Sequence, residues 1–250
     1  MKRYFLKIEY DGTLYHGWQK QKNCKTIQGE IELAFYNLVG KNVKVVGSGR
    51  TDMGVHAYRQ IAHVDLEKDW LSEKLEGALN FFLRKFPISI LEVKKVDNNL
   101  HARFSAISRI YEYKILIRRA PLVLQKKRYW HIWRNLEVAD MIEASNFIIG
   151  THNFTTFRSS ICQSNSPIKT MDQIYIKEKM KEDEKIIIFQ FKARSFLHNQ
   201  VRSMVGSLKM VGEKKWKPNY IRTILEKEDR QKCGPIAPPE GLYLKKIVYK

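Results

Sequence analysis

Val43-Lys44-Val45-Val46-Gly47-Ser48-Gly49-Arg50-Thr51-Asp52-Met53-Gly54-Val55-His56-Ala57 joins an apolar lead-in to a segment in which Ala62, Val64 and Leu66 recur at every second position. Period-two alternation is the mark of a half-buried strand, so the stretch predicts strand, loop, strand. Gly49 and Gly54 punctuate the loop and are free to adopt positive φ values. One carboxylate, Asp52, is thereby held in a glycine-bounded turn beside Arg50. By spacing alone, Asp52 reads as a turn residue whose side chain bonds its own backbone.

Working outward, Tyr4, Leu6, Ile8 and Tyr10 alternate with Arg3, Phe5, Lys7 and Glu9, which predicts an N-terminal strand. Thr26 is placed to cap a helix carrying Ile31, Ala34, Phe35 and Leu38 and ending at Gly40. A second helix shows Leu71, Leu75, Ala78, Leu79 and Phe82 on one face, and a strand through Ile88, Ile90 and Val93 follows Pro87. Downstream, Ser105 to Arg118 alternates, with Tyr111, Tyr113, Ile115 and Ile117 on one face. A helix is expected from about Glu137 to Ile149. Strands follow around Ile174-Tyr175-Ile176 and from Ile187 to Ala193, joined by the charged turn Lys181-Glu182-Asp183-Glu184. The strongest helical pattern is Leu197, Val201, Met204, Val205, Leu208 and Val211. A short helix near Tyr220 to Glu226 and a last strand around Leu242 to Val248 close the chain.

The order strand, helix, strand, strand, helix, strand therefore occurs twice, without evident sequence identity between the copies. The expected class is α+β: two ferredoxin-like βαββαβ halves, residues 1–104 and 105–250, with mostly antiparallel sheets side by side, helices packed on the sheets and a cleft between the halves.

Across 250 residues, 45 Lys and Arg stand against 26 Asp and Glu, a formal net charge of +19 spread along the chain. A polyanion is the expected partner, because cationic surfaces release condensed counterions when they bind phosphates. Aromatic residues interleave with cations in Tyr10 to Lys22 and Lys126 to Arg134, which favours nucleic acid over an anionic membrane. Cys24, Cys162 and Cys233 are scattered and form no CxxC pattern, which suggests reduced thiols and a cytoplasmic setting. The seven histidines show neither HxxxH nor HExxH spacing, so no metal site is indicated and no cofactor is implied. The N-terminus lacks the apolar core of a signal peptide, and no apolar run approaches the roughly 18 residues of a membrane helix.

Gly49-Arg50-Thr51-Asp52-Met53-Gly54-Val55-His56-Ala57 resembles the signature loop of the TruA family of tRNA pseudouridine synthases. Asp11-Gly12 with Gly17-Trp18-Gln19, Ser108-Arg109-Ile110-Tyr111-Glu112-Tyr113, Phe196-Leu197-His198-Asn199-Gln200-Val201-Arg202 and Ala237-Pro238-Pro239-Glu240-Gly241-Leu242 resemble further motifs of that family, in its order. Arg194-Ser195 departs from the glycine-asparagine pair that many relatives carry before Phe-Leu.

The resemblance implies that Asp52 is the essential carboxylate, that Tyr111 lies against the target uridine, and that Arg202 is the candidate for an ion pair with Asp52. Arg50 would contact the RNA backbone or wedge into the helix. It further implies a homodimer acting on uridines 38, 39 and 40 of the tRNA anticodon stem-loop, without metal, nucleotide cofactor or membrane. Taken without the resemblance, Tyr111 is a half-buried strand tyrosine and Arg202 the solvated flank of a helix. His198 receives no role.

Other readings are a non-catalytic RNA-binding protein, a synthase with a different target uridine, and a duplex DNA binder. The last predicts a basic recognition helix, whereas the best helix here spends its surface on an apolar face.

Overall fold

The computed structural model describes residues 1–250 as a mixed α/β chain with mostly antiparallel strands and five α-helices. Two compact units are present, Met1–Ile107 with Tyr243–Lys250, and Ser108–Leu242. The last strand thus groups with the first unit, whereas chain order alone assigns 105–250 to one half.

In the first unit, β1 (Lys2–Tyr10) pairs antiparallel with both β3 (His56–Leu66) and β4 (Ile88–Val96). The two-residue β2 (Val46–Gly47) adds to β3 at His63 and Ala62, and β10 (Leu242–Tyr249) meets β3 in parallel at Tyr243 and Leu244. The alternation in β1 holds: Tyr4, Leu6, Ile8 and Tyr10 are buried. They pack with Ala62, Val64 and Leu66 of β3.

Helix α1 (Ile27–Val39) begins where Thr26 accepts the amide of Gly29 and ends where Gly40 donates its amide to Tyr36. Helix α2 (Ser72–Leu83) buries Leu75, Leu79 and Leu83. This face is rotated from the expected one: Leu71 precedes the first turn and is exposed, and Phe82 is only half-buried.

The second unit holds β5 (Ala106–Ile117), β9 (Glu184–Ala193), β8 (Ile168–Lys181) and β7 (Gly150–Asn153), each antiparallel to the next. The short β6 (Trp130–Ile132) runs parallel to β5. Alternation again sets the core, with Ile187, Phe189 and Phe191 buried beside Tyr113 and Ile115. Helix α3 (Val138–Asn146) is shorter than its apolar pattern suggests, and α5 spans Tyr220–Glu226.

Helix α4 (Gln200–Gly212) starts three residues after Leu197, because Asn199 sits in the left-handed region at φ +62°, which an α-helix cannot continue through. Ser203, Gly206 and Ser207 are buried along with its apolar residues, so α4 is enclosed on more than one side. No helix is long and apolar enough to cross a membrane.

Histidine burial in the first unit makes folding sensitive to pH. His63, on β3, accepts the amide of Ala102 at Nδ1 (3.2 Å). Burial holds its pKa down to about 4, assisted by Arg3 and His101 and opposed by Asp65. A group depressed in the folded state contributes fully above its unfolded value of about 6.5, and that stability is lost as pH falls from there towards about 4. Urea unfolding at pH 7, 5.5 and 4.5 will show a falling midpoint, and His63→Gln will make the fall shallower.

Candidate active site

Asp52 lies in the connection 48–55, and that connection is fixed by backbone as much as by side chains. Trp18 donates its amide to the Thr51 carbonyl (3.0 Å), Gly54 donates to Tyr15 (3.3 Å), and Val55 closes the turn on the Asp52 carbonyl (3.2 Å). The Tyr10 and Thr51 hydroxyls share a buried hydrogen bond of 2.8 Å, and Gln60 donates to the Gly49 carbonyl (2.9 Å).

Loop 11–18 lies directly on this turn. Gly17 adopts φ +91°, and a Cβ there would stand 2.4 Å from the Thr51 carbonyl oxygen. No side chain fits at that separation, so glycine is what lets the two loops touch. Of the two loop glycines singled out in the sequence, Gly54 takes a positive φ and Gly49 does not.

Around that turn, Thr51 and Val55 are buried, Asp52 is half-buried, and Met53 is exposed. Arg50 is exposed and donates through Nε to Gln19 (3.1 Å). The half-buried aspartate thus sits on a rigid seat, and the arginine two residues earlier on the same loop is exposed.

Sequence reasoning passed over His56. The residue is 2% exposed, its Nδ1 lies 3.0 Å from Asp11 Oδ1 and 3.1 Å from the Gly12 amide, and its ring stacks on Tyr243 at 4.7 Å. Tyr243 stacks in turn on Tyr58 at 4.8 Å. His56 therefore ties loop 11–18 to the start of β3, next to the Asp52 turn. The available signal was its place within the quoted loop, but nothing local says that it faces Asp11.

In the second unit, Tyr111 is 8% exposed on β5, edge-on to Phe196 with centroids 5.1 Å apart. Arg202, in the first turn of α4, donates through Nε to the Ala237 carbonyl (2.7 Å) and through Nη1 to Asn199 Oδ1 (3.0 Å). Ala237 returns its amide to the Arg202 carbonyl (3.1 Å). The guanidinium is thus oriented by its neighbours and does not extend as a solvated flank.

The segment that holds it is seated by another close approach, since a Cβ at Gly206 would lie 1.6 Å from the Pro235 carbonyl oxygen. Gly234 also donates to Ser207 Oγ (3.0 Å). Tyr113, two residues beyond Tyr111, is fully buried and donates its hydroxyl to the Pro238 carbonyl (2.7 Å). Burial raises its pKa well above the usual phenol value, helped by Glu240 and opposed by Arg202, so it remains a donor at any physiological pH. Tyr113 acts as a bolt for the 237–241 segment, whereas Tyr111 keeps a small exposed area. The Arg194 carbonyl, at the departure noted above, accepts Arg109 Nη1 at 2.5 Å.

Each unit thus carries one part of the predicted set: Asp52 and Arg50 in the first, Tyr111 and Arg202 in the second. No group of three or more His, Cys, Asp or Glu side chains is arranged to hold a metal, and the three cysteines are free thiols.

Comparison with known proteins adds to this geometry. A family profile described as tRNA pseudouridine synthase matches residues 7–105 and 144–250. The tRNA pseudouridine synthase A of Afipia carboxidovorans is 49% identical over 249 residues, covering 100% of both chains. That of Sinorhizobium fredii is 47% identical over 251 residues, again with 100% of both chains covered. That of Dinoroseobacter shibae is 45% identical over 249 residues, covering 100% of this chain and 97% of the relative. With the quoted motifs in order on these elements, the chain belongs to the tRNA pseudouridine synthase family.

Proposed function

We propose that this enzyme isomerises uridine to pseudouridine at positions 38, 39 and 40 of the tRNA anticodon stem-loop, as a cytoplasmic homodimer, with Asp52 as the essential carboxylate. The observation that carries the reading is the seat of Asp52: a half-buried acid in a turn clamped by Trp18, Tyr15, Tyr10 and Gln60. Preorganisation of this kind is what catalysis by a single side chain requires.

The reaction breaks the N1–C1′ bond, turns the base within the site, and joins C5 to C1′, after which the C5 proton leaves to solvent and N1 takes up a proton, so the product is an isomer of the substrate. No electrons are gained or lost and no group is transferred to another molecule. A carboxylate and a closed pocket suffice. Asp52 engages the nucleotide, and Arg202 favours the ionised carboxylate as its partner. Tyr111, packed edge-on against Phe196, receives the face of the unstacked base, and its hydroxyl moves a proton late in the reaction. Arg50, exposed beside Asp52, contacts the RNA backbone or enters the helix that the base has left. The reaction requires carboxylate, tyrosine and guanidinium to meet on one uridine.

We also propose that the units share a ferredoxin-like plan, with halves 1–104 and 105–250 by chain order. The antiparallel neighbours β4, β1, β3 and β2 support this for the first, and β5, β9 and β8 for the second.

Tritium release from tRNA labelled at uridine C5 tests the reaction. Asp52→Asn is expected to lower release by roughly 1000-fold or more while tRNA binding is kept. Equal release by both proteins would remove Asp52 from the chemistry, and binding without release by the wild type would favour an RNA-binding protein or another target uridine.

Gly17→Ala tests the seat. Forcing a side chain into the left-handed region against Thr51 is expected to cost on the order of 1–3 kcal/mol, to lower Tm by several degrees, and to reduce turnover more than tRNA affinity. Thermal melts and single-turnover rates read the two effects separately.

A further inference from the structure

The segment between β4 and β5 forms a turn, His101 to Ser105, that none of the chemistry above uses. It is built with unusual rigidity for a surface connection. His101 Nδ1 lies 3.1 Å from the Arg103 amide and 3.3 Å from the Phe104 amide; Ser105 donates its amide to the His101 carbonyl (3.0 Å), and His101 donates its amide to the Ser105 hydroxyl (2.9 Å). The turn is also pinned to the sheet: Ala102 donates its amide to His63, and its carbonyl accepts the Tyr249 hydroxyl at 2.6 Å. Arg3 adds two bonds just upstream, to the Asn98 and Leu100 carbonyls (2.8 and 2.9 Å).

What this rigid turn presents is a phenyl ring. Phe104 is 72% exposed, yet it does not move freely, because its ring lies on His101 with centroids 4.4 Å apart. His101 rests edge-on against buried His63 at 4.6 Å. Three rings therefore form a column that starts in the interior of the unit and ends in solvent. The Arg103 guanidinium stands 5.6 Å from the outermost ring. Folding by itself gives no reason to order an exposed apolar ring in this way, since burying it in the same turn would stabilise the unit more.

We propose that this turn is a stacking platform for an unpaired base of the bound tRNA, with Phe104 extending the column onto the base and Arg103 meeting the neighbouring phosphate. The inference rests on tRNA being the substrate. Stacking on a rigid aromatic ring beside a cation is the usual way in which proteins hold unpaired nucleotides, and every base offers the face required. The net charge of +19 favours a polyanion over an acidic or neutral protein surface. A lone exposed ring beside an arginine is also far smaller than the roughly 800 Å² per partner of a stable protein interface. Because the turn is already ordered, contact with a base costs little further conformational entropy.

The test uses full-length wild type, Phe104→Ala, Phe104→Tyr and Arg103→Gln, with affinity for a tRNA transcript and for a fully paired RNA duplex measured by fluorescence anisotropy across a salt series. Phe104→Ala should weaken tRNA binding on the order of tenfold, leave duplex binding and the salt dependence as in wild type, and keep the same Tm. Phe104→Tyr should bind within about twofold of wild type, and Arg103→Gln should lower the slope of log affinity against log salt by about one. Unchanged tRNA affinity in Phe104→Ala would overturn the proposal, as would an equal loss on duplex. So would a change in sedimentation of Phe104→Ala, which would assign the ring to a contact between copies of the chain. Loss of tRNA affinity in Phe104→Ala alongside a wild type that makes no pseudouridine would sink the activity reading and leave the platform standing; a wild type that binds no tRNA would sink both.

Discussion

Backbone lying directly on backbone is the constraint on which the site-bearing parts of both units depend. At Gly17 the loop 11–18 comes within reach of the Thr51 carbonyl, and at Gly206 the chain near Pro235 rests on helix α4. In each case the space that a methyl group would need is already filled by a carbonyl oxygen. The consequence is positional: the Asp52 turn cannot shift without moving loop 11–18, and Arg202 cannot turn without leaving the Ala237 carbonyl. Catalytic groups carried on loops gain their precision from such contacts, because a loop has no regular hydrogen-bond ladder of its own.

Buried polar groups complete the same work. His56 holds Asp11 beside the start of β3, and Tyr113 holds Pro238 beside β5. Neither faces the substrate in the proposed reaction. Each satisfies a buried polar atom that would otherwise cost on the order of 1–3 kcal/mol, and in doing so fixes a segment that lies beside a proposed site residue. The two tyrosines of β5 divide the labour accordingly, with Tyr111 packed edge-on against Phe196 and retaining a little exposed surface while Tyr113 is spent on structure.

The family membership and this geometry meet at the level of reaction class. An isomerisation with no redox change and no transferred group needs few functional groups, and the chain offers a half-buried carboxylate in a clamped turn together with strong positive charge for a polyanionic substrate.

Much of the fold was legible in the sequence, because strands and helices follow local periodicity. Tyr4 to Tyr10 and Ile187 to Ala193 alternate and are strands, and Thr26 and Gly40 bound a helix as their cap chemistry requires. The Asp52 loop was legible for another reason: its glycine spacing and its motif are contiguous. Tertiary structure alone decided what depends on residues distant in the chain. It grouped the last strand with the first unit through pairing at Tyr243 and Leu244, started α4 at Gln200 behind a left-handed Asn199, and turned α2 so that Leu83, not Leu71, meets the core. It also set His56 against Asp11 and left Phe104 ordered in solvent on His101. Local sequence fixes which backbone shape and which face are favourable, whereas partners across the fold are chosen by packing and by the cost of leaving buried polar atoms unpaired, and those are properties of the whole chain.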